Sequence, residues 1–254
     1  MIKAVPSALE AFFSAHPRLA LAFSGGADSA YLLYAATACG CDVGAYYVQS
    51  AFQPAFERED ARRLVEQLQA DMRIIPLDAL EDERVRANPA DRCYYCKQRV
   101  FSAILQAARA DGFDTLIDGT NASDDAGDRP GMRALIELSV LSPLRICGIT
   151  KAQLREYSRQ AGLFTWDKPA YACLATRVPA GTPLTGELLR RVESAEDQLF
   201  SLGFTDFRCR VFHDAARLQF RADQLERAAA LRETIRAALK PWFDVILLDT
   251  EDRG

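Results

Sequence analysis

Apolar residues in the first half of the chain gather in short β-type runs separated by helical patterns. The runs are Leu19 to Phe23, Val43 to Val48 and Met72 to Pro76, with helices predicted from about Ala27 and from about Ala55. This alternation predicts βαβ units, hence a parallel sheet covered by helices. A further helix is expected over about Cys96 to Ala110, then a short strand, Thr115 to Ile117, leading into Asp118-Gly119-Thr120-Asn121. Loops at the carboxyl ends of parallel strands are where such sheets bind ligands. Thr150 and Gln153 form a capping-box signature before a helix to about Ala161. Pro169, Pro179, Gly181 and Pro183 then mark a long irregular loop, and loops of that length are usually functional or mobile.

Beyond the loop the pattern changes. Leu188, Val192, Ala195 and Leu199 recur at helical spacing, followed by β-type runs Phe207 to Phe212 and Arg217 to Phe220, a helix near Asp223 to Leu239, and a last run, Val245 to Leu248. The expected organisation is an α/β parallel-sheet domain over 1–166, a loop over 167–185 and a small α+β domain over 186–254.

The 254 residues are 49% hydrophobic and 26% charged, enough for a substantial core. A formal charge of -4 gives no general attraction to nucleic-acid phosphates, so a small-molecule substrate is expected, without nucleic acid. No run of about eighteen apolar residues and no signal-peptide pattern is present, which points to the cytoplasm and away from a membrane. Seven unevenly spaced cysteines argue against a disulfide framework and for thiol, metal or catalytic roles.

Ser24-Gly25-Gly26-Ala27-Asp28-Ser29 joins a strand to a helix. Glycines there let the backbone approach a phosphate, the helix N-terminus offers N–H groups and a favourable dipole, and Ser24 and Ser29 add hydroxyl donors. A Walker A loop would need a Lys followed by Ser or Thr, and a dinucleotide fingerprint a third spaced glycine; neither is present. The six residues match the SGGxDS motif of the ATP-pyrophosphatase (PP-loop) family, a resemblance that implies cleavage between the α and β phosphates. The Asp28 carboxylate is a candidate ligand for a Mg²⁺ that offsets the developing charge.

Cys93 and Cys96, in Asp91-Arg92-Cys93-Tyr94-Tyr95-Cys96-Lys97, have a spacing that suits one metal or cluster, although a redox pair or two semi-buried thiols also fit. Cys173 stands in the long loop between prolines, with Lys168 and Arg177 placed to favour a thiolate. Taken together, SGGADS, DRCYYCK, DGTNASDDAGDRPGMRAL, SPL, TWDKPAYACLATR and VPAGTPLT, in order from about residue 19 to 220, resemble the LarE family. Its members are ATP-dependent pyridinium-3,5-biscarboxylic acid mononucleotide sulfurtransferases of nickel-pincer nucleotide synthesis.

That resemblance implies a Rossmannoid adenine-nucleotide α-hydrolase-like fold, a homo-oligomer (trimer or hexamer), and adenylation of a substrate carboxylate followed by displacement of AMP by sulfur. Two sulfur sources stay open. Cys173 is either a sacrificial donor or, with Cys93 and Cys96, a ligand of a [4Fe-4S] cluster that carries the sulfide. Amidation as in NAD or GMP synthesis, tRNA thiolation, and ATP binding without turnover are the rival functions.

Asp118, Gly119, Thr120, Asn121 and Asp124 follow a strand, where they are expected to reach nucleotide or Mg²⁺. Arg129, Arg133 and, foremost, Arg177 are candidate phosphate contacts. The family places an acidic residue at Glu196 near the site. Arg208 and Arg210 alternate with Cys209 on a strand, so both project to one face, as a phosphate pocket or as salt-bridge partners. Where Gln219 stands the family usually has an acidic residue, and it usually has a longer tail after Glu251 and Arg253. Cys39, Cys41, Cys147 and Cys209 read as core or semi-buried thiols, and His16 and His213 as structural.

Overall fold

The computed structural model describes residues 5–124 and 130–251, so Arg129 and Arg253 lie outside the described residues. The order begins α1 (Ser7–Ala15), β1 (Arg18–Ala22), α2 (Ala27–Ala38), β2 (Asp42–Gln49), α3 (Ala55–Leu68) and β3 (Met72–Pro76). It continues through α4 (Glu83–Arg86), α5 (Arg92–Ala110), β4 (Leu116–Ile117), α6 (Pro130–Glu137), α7 (Pro143–Ile146) and α8 (Lys151–Gln160). A 3-10 turn at Leu174–Arg177 precedes α9 (Gly186–Ser201), β5 (Arg208–Phe212), β6 (Ala215–Gln219), α10 (Ala222–Ala230), α11 (Arg232–Leu239) and β7 (Ile246–Leu248).

Two compact units emerge: Met1–Ser50, Ala55–Asp78 and Asp91–Lys168 form the first; Ala51–Pro54, Ala79–Ala90 and Pro169–Gly254 the second. In the first, four parallel strands lie in the order β3-β2-β1-β4. Burial on both sides explains the apolar runs inside β1 and β2. Leu19, Leu21, Ala45 and Tyr47 enter one core with α1, α2 and α8, while Ala20, Tyr46 and Val48 enter another with Phe101, Ile104 and Ala108 of α5. Both faces are therefore buried, as in α/β proteins generally. The chain winds outward from β1 to β3 and then returns to place β4 on the other side of β1. Their carboxyl ends thus flank a topological switch point, the crevice where open α/β sheets bind ligands.

The capping box ahead of α8 is formed, with Thr150 N–H donating to Gln153 Oε1 at 3.0 Å and Gln153 N–H to Thr150 Oγ1 at 3.4 Å. Thr150→Ala is expected to lower stability by about 1 kcal/mol in urea unfolding.

In the second unit β5 and β6 form an antiparallel hairpin, and β7 joins β6 in parallel after the α10–α11 crossover. The helix expected over Asp223 to Leu239 is interrupted at Leu231, whose ψ of 14° closes α10 and opens α11. The buried stripe of α9 runs through Leu189, Val192, Ala195, Glu196 and Leu199. Leu188, expected in the stripe, is only half-buried, and a carboxylate occupies the core-facing line. Among the described residues no helix is long and apolar enough to cross a membrane.

Candidate functional site

Backbone geometry at the end of β1 builds the turn expected to be a phosphate loop. Gly25 has φ +74°, and a Cβ there would lie 2.9 Å from Ala61 Cβ and 3.0 Å from Ala61 Cα, so only glycine lets the turn pass against α3. Gly26 caps α2, its N–H donating to Ser24 Oγ at 3.3 Å, and Ser29 Oγ donates to Gly26 carbonyl at 3.2 Å. The Ser24 and Ser29 hydroxyls are 3.2 Å apart. Ala27 begins the helix and is buried, so the N-terminal turn is fixed from below. Gly119, at the end of β4, brings its loop against α2; a Cβ on it would meet Asp28 Cβ and Ser29 N at 3.1 Å.

Side chains from three segments meet at Asp28. Asn121, buried, donates Nδ2 to Asp28 Oδ1 at 3.1 Å, and Lys151 Nζ donates to Asp28 Oδ2 at 2.5 Å. Asp124 Oδ2 accepts from Asn121 N–H at 2.9 Å. Asp118 is buried and committed to Thr120 Oγ1 and Ser142 Oγ, at 2.5 and 2.6 Å, so it shapes the loop. Lys151 is not legible in the sequence: a lysine after a capping residue has no signature, and the fold alone brings it to Asp28. The hard oxygens of Asp28 and Asp124 suit Mg²⁺ by type.

α5 starts four residues earlier than expected, at Arg92, so Cys93 and Cys96 both lie in its opening turns, one above the other at i and i+3. Cys93 is exposed and accepts from Arg92 Nη2 at 3.5 Å; the Arg92 side chain is itself buried. Soft thiolates at this spacing match an iron or iron–sulfur donor set. Cys93 and Cys96 belong to the first unit and Cys173 to the second, and within either unit no group of three or more His, Cys, Asp or Glu is gathered as a metal site among the described residues. None of the seven cysteines is joined in a disulfide. Burial pushes the Cys209 and Cys147 thiols up, as suits core thiols. Arg133 stacks over Tyr94, 3.7 Å from the ring centre, and bridges to Glu137 at 3.3 Å.

In the second unit Cys173 is half-buried and caps the 3-10 turn. Its carbonyl accepts from Thr176 N–H at 2.9 Å and Thr176 Oγ1 at 2.8 Å. The loop is also tied to remote segments: Leu174 N–H donates to Phe52 carbonyl, and buried Asn88, at φ +52°, donates Nδ2 to the Pro179 and Thr182 carbonyls. Lys168, at the end of the first unit, pairs with Asp60 at 2.7 Å.

Arg177 reads from sequence as a phosphate contact; folded, its guanidinium is fully buried. Nε and Nη2 donate to Glu196 Oε1 and Oε2 at 2.9 and 3.1 Å, and Nη1 donates to Ala172 carbonyl at 2.7 Å. Burial disfavours its charge, but the hydrogen bonds and charge of Glu196 more than offset this, and the pKa is raised. Glu196 also accepts from Cys209 N–H at 2.9 Å and from the Tyr171 hydroxyl. The Tyr171 ring lies against the guanidiniums of both Arg177 and Arg208. Arg177 thus holds the peptides around Cys173, and Glu196 holds Arg177.

Arg208 and Arg210 share a face of β5, as expected from alternation. Arg208 donates only to carbonyls, Phe207 at 2.8 Å and Ala170 at 3.0 Å, and burial together with neighbouring Arg177 brings its pKa down to about 10. Arg210 is lowered by burial and by Arg177 and Arg217. Both remain cations at neutral pH, so their mutual repulsion would be eased by a bound anion.

No family model matches the chain. It is 34% identical over 204 residues to the pyridinium-3,5-bisthiocarboxylic acid mononucleotide synthase of Lactiplantibacillus plantarum, covering 80% of this chain and 74% of that protein. An uncharacterised protein of Synechocystis is 32% identical over 247 residues, 96% of this chain and 92% of its own. Another, from Methanocaldococcus jannaschii, is 25% identical over 238 residues, 92% of this chain and 90% of its own. With a phosphate-type loop at the switch point, a held cysteine loop and an identity of this extent, the chain belongs to the LarE family of pyridinium-3,5-bisthiocarboxylic acid mononucleotide synthases.

Proposed function

We propose that the protein is an ATP-dependent sulfurtransferase that converts carboxylates of a pyridinium-3,5-dicarboxylate mononucleotide into thiocarboxylates. The observation that carries this reading is the Ser24–Ser29 cradle, whose glycine-only turn, helix N-terminus and paired hydroxyls sit at the β1/β4 switch point. The name of the Lactiplantibacillus relative supports the product class, a bisthiocarboxylic acid mononucleotide.

A substrate carboxylate oxygen attacks the α-phosphorus of ATP, the bond to the β-phosphate oxygen breaks, and pyrophosphate leaves within the cradle. On this reading the Ala27 backbone N–H and the Ser24 and Ser29 hydroxyls take up the charge that develops on it. Bound at Asp28 and Asp124, Mg²⁺ would add further charge neutralisation. A sulfur nucleophile then attacks the acyl carbon, and AMP departs with the original carboxylate oxygen. Arg208 and Arg210 hold the phosphate of the mononucleotide.

On this reading Cys173 serves the sulfur transfer. With its own sulfur as donor, Sγ forms a thioester with the acyl group. Loss of the Cα proton and cleavage of Cβ–Sγ then leave dehydroalanine and the thiocarboxylate. A [4Fe-4S] cluster held by Cys93, Cys96 and Cys173 would instead supply a labile sulfide as the nucleophile. The protein works on this reading as a cytoplasmic homo-oligomer.

Cys173→Ala separates the two half-reactions. Substrate-dependent pyrophosphate release is expected to persist while thiocarboxylate formation falls below detection. Wild-type yields of thiocarboxylate from the variant would remove Cys173 from the reaction.

A further inference from the structure

Across the β5–β6 hairpin, Arg210 stands opposite Arg217, and Arg208 opposite Gln219. Two like charges directly opposite repel, so this row needs a counter-charge. Asp249, just past β7, supplies it off to one side. Its Oδ2 accepts from Arg217 Nε at 2.6 Å and from Gln219 Nε2 at 2.8 Å, while Oδ1 accepts from Glu251 N–H at 3.2 Å. Arg210 does not bond to Asp249. Its Nε donates to Gln219 Oε1, and its Nη1 donates to Thr176 carbonyl at 2.9 Å. The remaining carboxylate of the neighbourhood, Glu196, is taken by Arg177.

An ionised carboxylate only accepts hydrogen bonds and a guanidinium only donates them. An amide placed between the two therefore has a single satisfied orientation, NH₂ toward Asp249 and oxygen toward Arg210. We infer that Gln219 is a positioning and charge-selecting residue: it fixes the Arg210 guanidinium through a neutral oxygen and keeps Asp249 one side chain away. The Arg208–Arg210 pair is thereby steered but not neutralised, and retains its positive charge for a phosphomonoester dianion. This inference rests on the proposed role of that pair as the substrate phosphate site. A glutamate at 219 would have the same shape and place a formal negative charge directly on Arg210.

The test is calorimetric titration of the full chain with ribose 5-phosphate, with a non-hydrolysable ATP analogue saturating the phosphate loop. Wild-type protein binds, and Gln219→Glu binds at least about tenfold more weakly, with a shallower salt dependence, because a charge is added next to the ligand. Gln219→Met, neutral but unable to anchor Arg210, loses a few-fold in affinity and keeps the wild-type salt dependence. Affinity for the ATP analogue stays at the wild-type value in both. A wild type that does not bind ribose 5-phosphate defeats the phosphate-site reading itself. Binding by wild type with both variants within about twofold of it leaves that reading intact and overturns the role of Gln219. Equal losses and equal salt slopes in the two variants reduce Gln219 to an anchor and overturn charge selection.

Discussion

Glu196→Ala is expected to lower stability by about 3–5 kcal/mol and to abolish sulfur transfer, because it strands a fully buried guanidinium. The same change leaves Cys209 N–H and the Tyr171 hydroxyl without their acceptor. Loss of Glu196 also releases the arm of Arg177 that holds the Ala172 carbonyl, so the peptides leading into Cys173 lose their support. The double variant Arg177→Met, Glu196→Leu distinguishes stability from function. Replacing both charges with apolar groups restores much of the lost stability, since a buried pair repays little more than its own desolvation. It does not restore the hydrogen bond to Ala172, and sulfur transfer stays lost. Urea unfolding of the three proteins, with thiocarboxylate formation assayed alongside, gives both readings. A single variant as stable as wild type would contradict the network.

Gly25→Ala is the second large effect. The left-handed φ of +74° costs an L-residue roughly 1–2 kcal/mol. The added methyl also meets the Ala61 backbone, which cannot rotate aside as a side-chain tip would. The turn must shift, and ATP affinity is expected to fall by at least about tenfold together with stability. Gly26→Ala provides the contrast: its Cβ would sit 3.4 Å from Ser24 Oγ, and Gly26 has an ordinary extended φ of -77°. That variant is expected to fold as wild type and still lose ATP affinity, because the methyl occupies the path of the phosphate. Equal stability in the two variants would sink the distinction.

Much of this arrangement could be read before folding. Strands buried on both faces leave apolar runs, which is why β1 and β2 are legible in the sequence, and the phosphate loop is a local motif whose parts touch one another. Glu196 was visible only through family resemblance, since a charge among apolar residues on a helix reads equally as a solvated edge. Its burial is decided by Arg177, nineteen positions earlier. Lys151 and Asn88 carry no local signature at all, because one acts through Asp28, far along the chain, and the other through the carbonyls of a distant loop. Segments 51–54 and 79–90 join the second unit through backbone hydrogen bonds such as Leu184 N–H to Arg86 carbonyl. Backbone pairing of that kind leaves no mark on residue type. Gln219 departs from the family pattern in the sequence itself, but its orientation depends on having Asp249 and Arg210 on opposite sides, which only the sheet register supplies.

The most direct measurement combines ATP, the pyridinium-3,5-dicarboxylate mononucleotide and the anaerobically purified protein, with pyrophosphate, AMP and nucleotide mass followed together. Substrate-dependent release of pyrophosphate and AMP, matched mole for mole by a product in which sulfur has replaced a carboxylate oxygen, is the predicted result. ADP and phosphate in place of pyrophosphate, or no nucleotide turnover when substrate is added, would contradict the account.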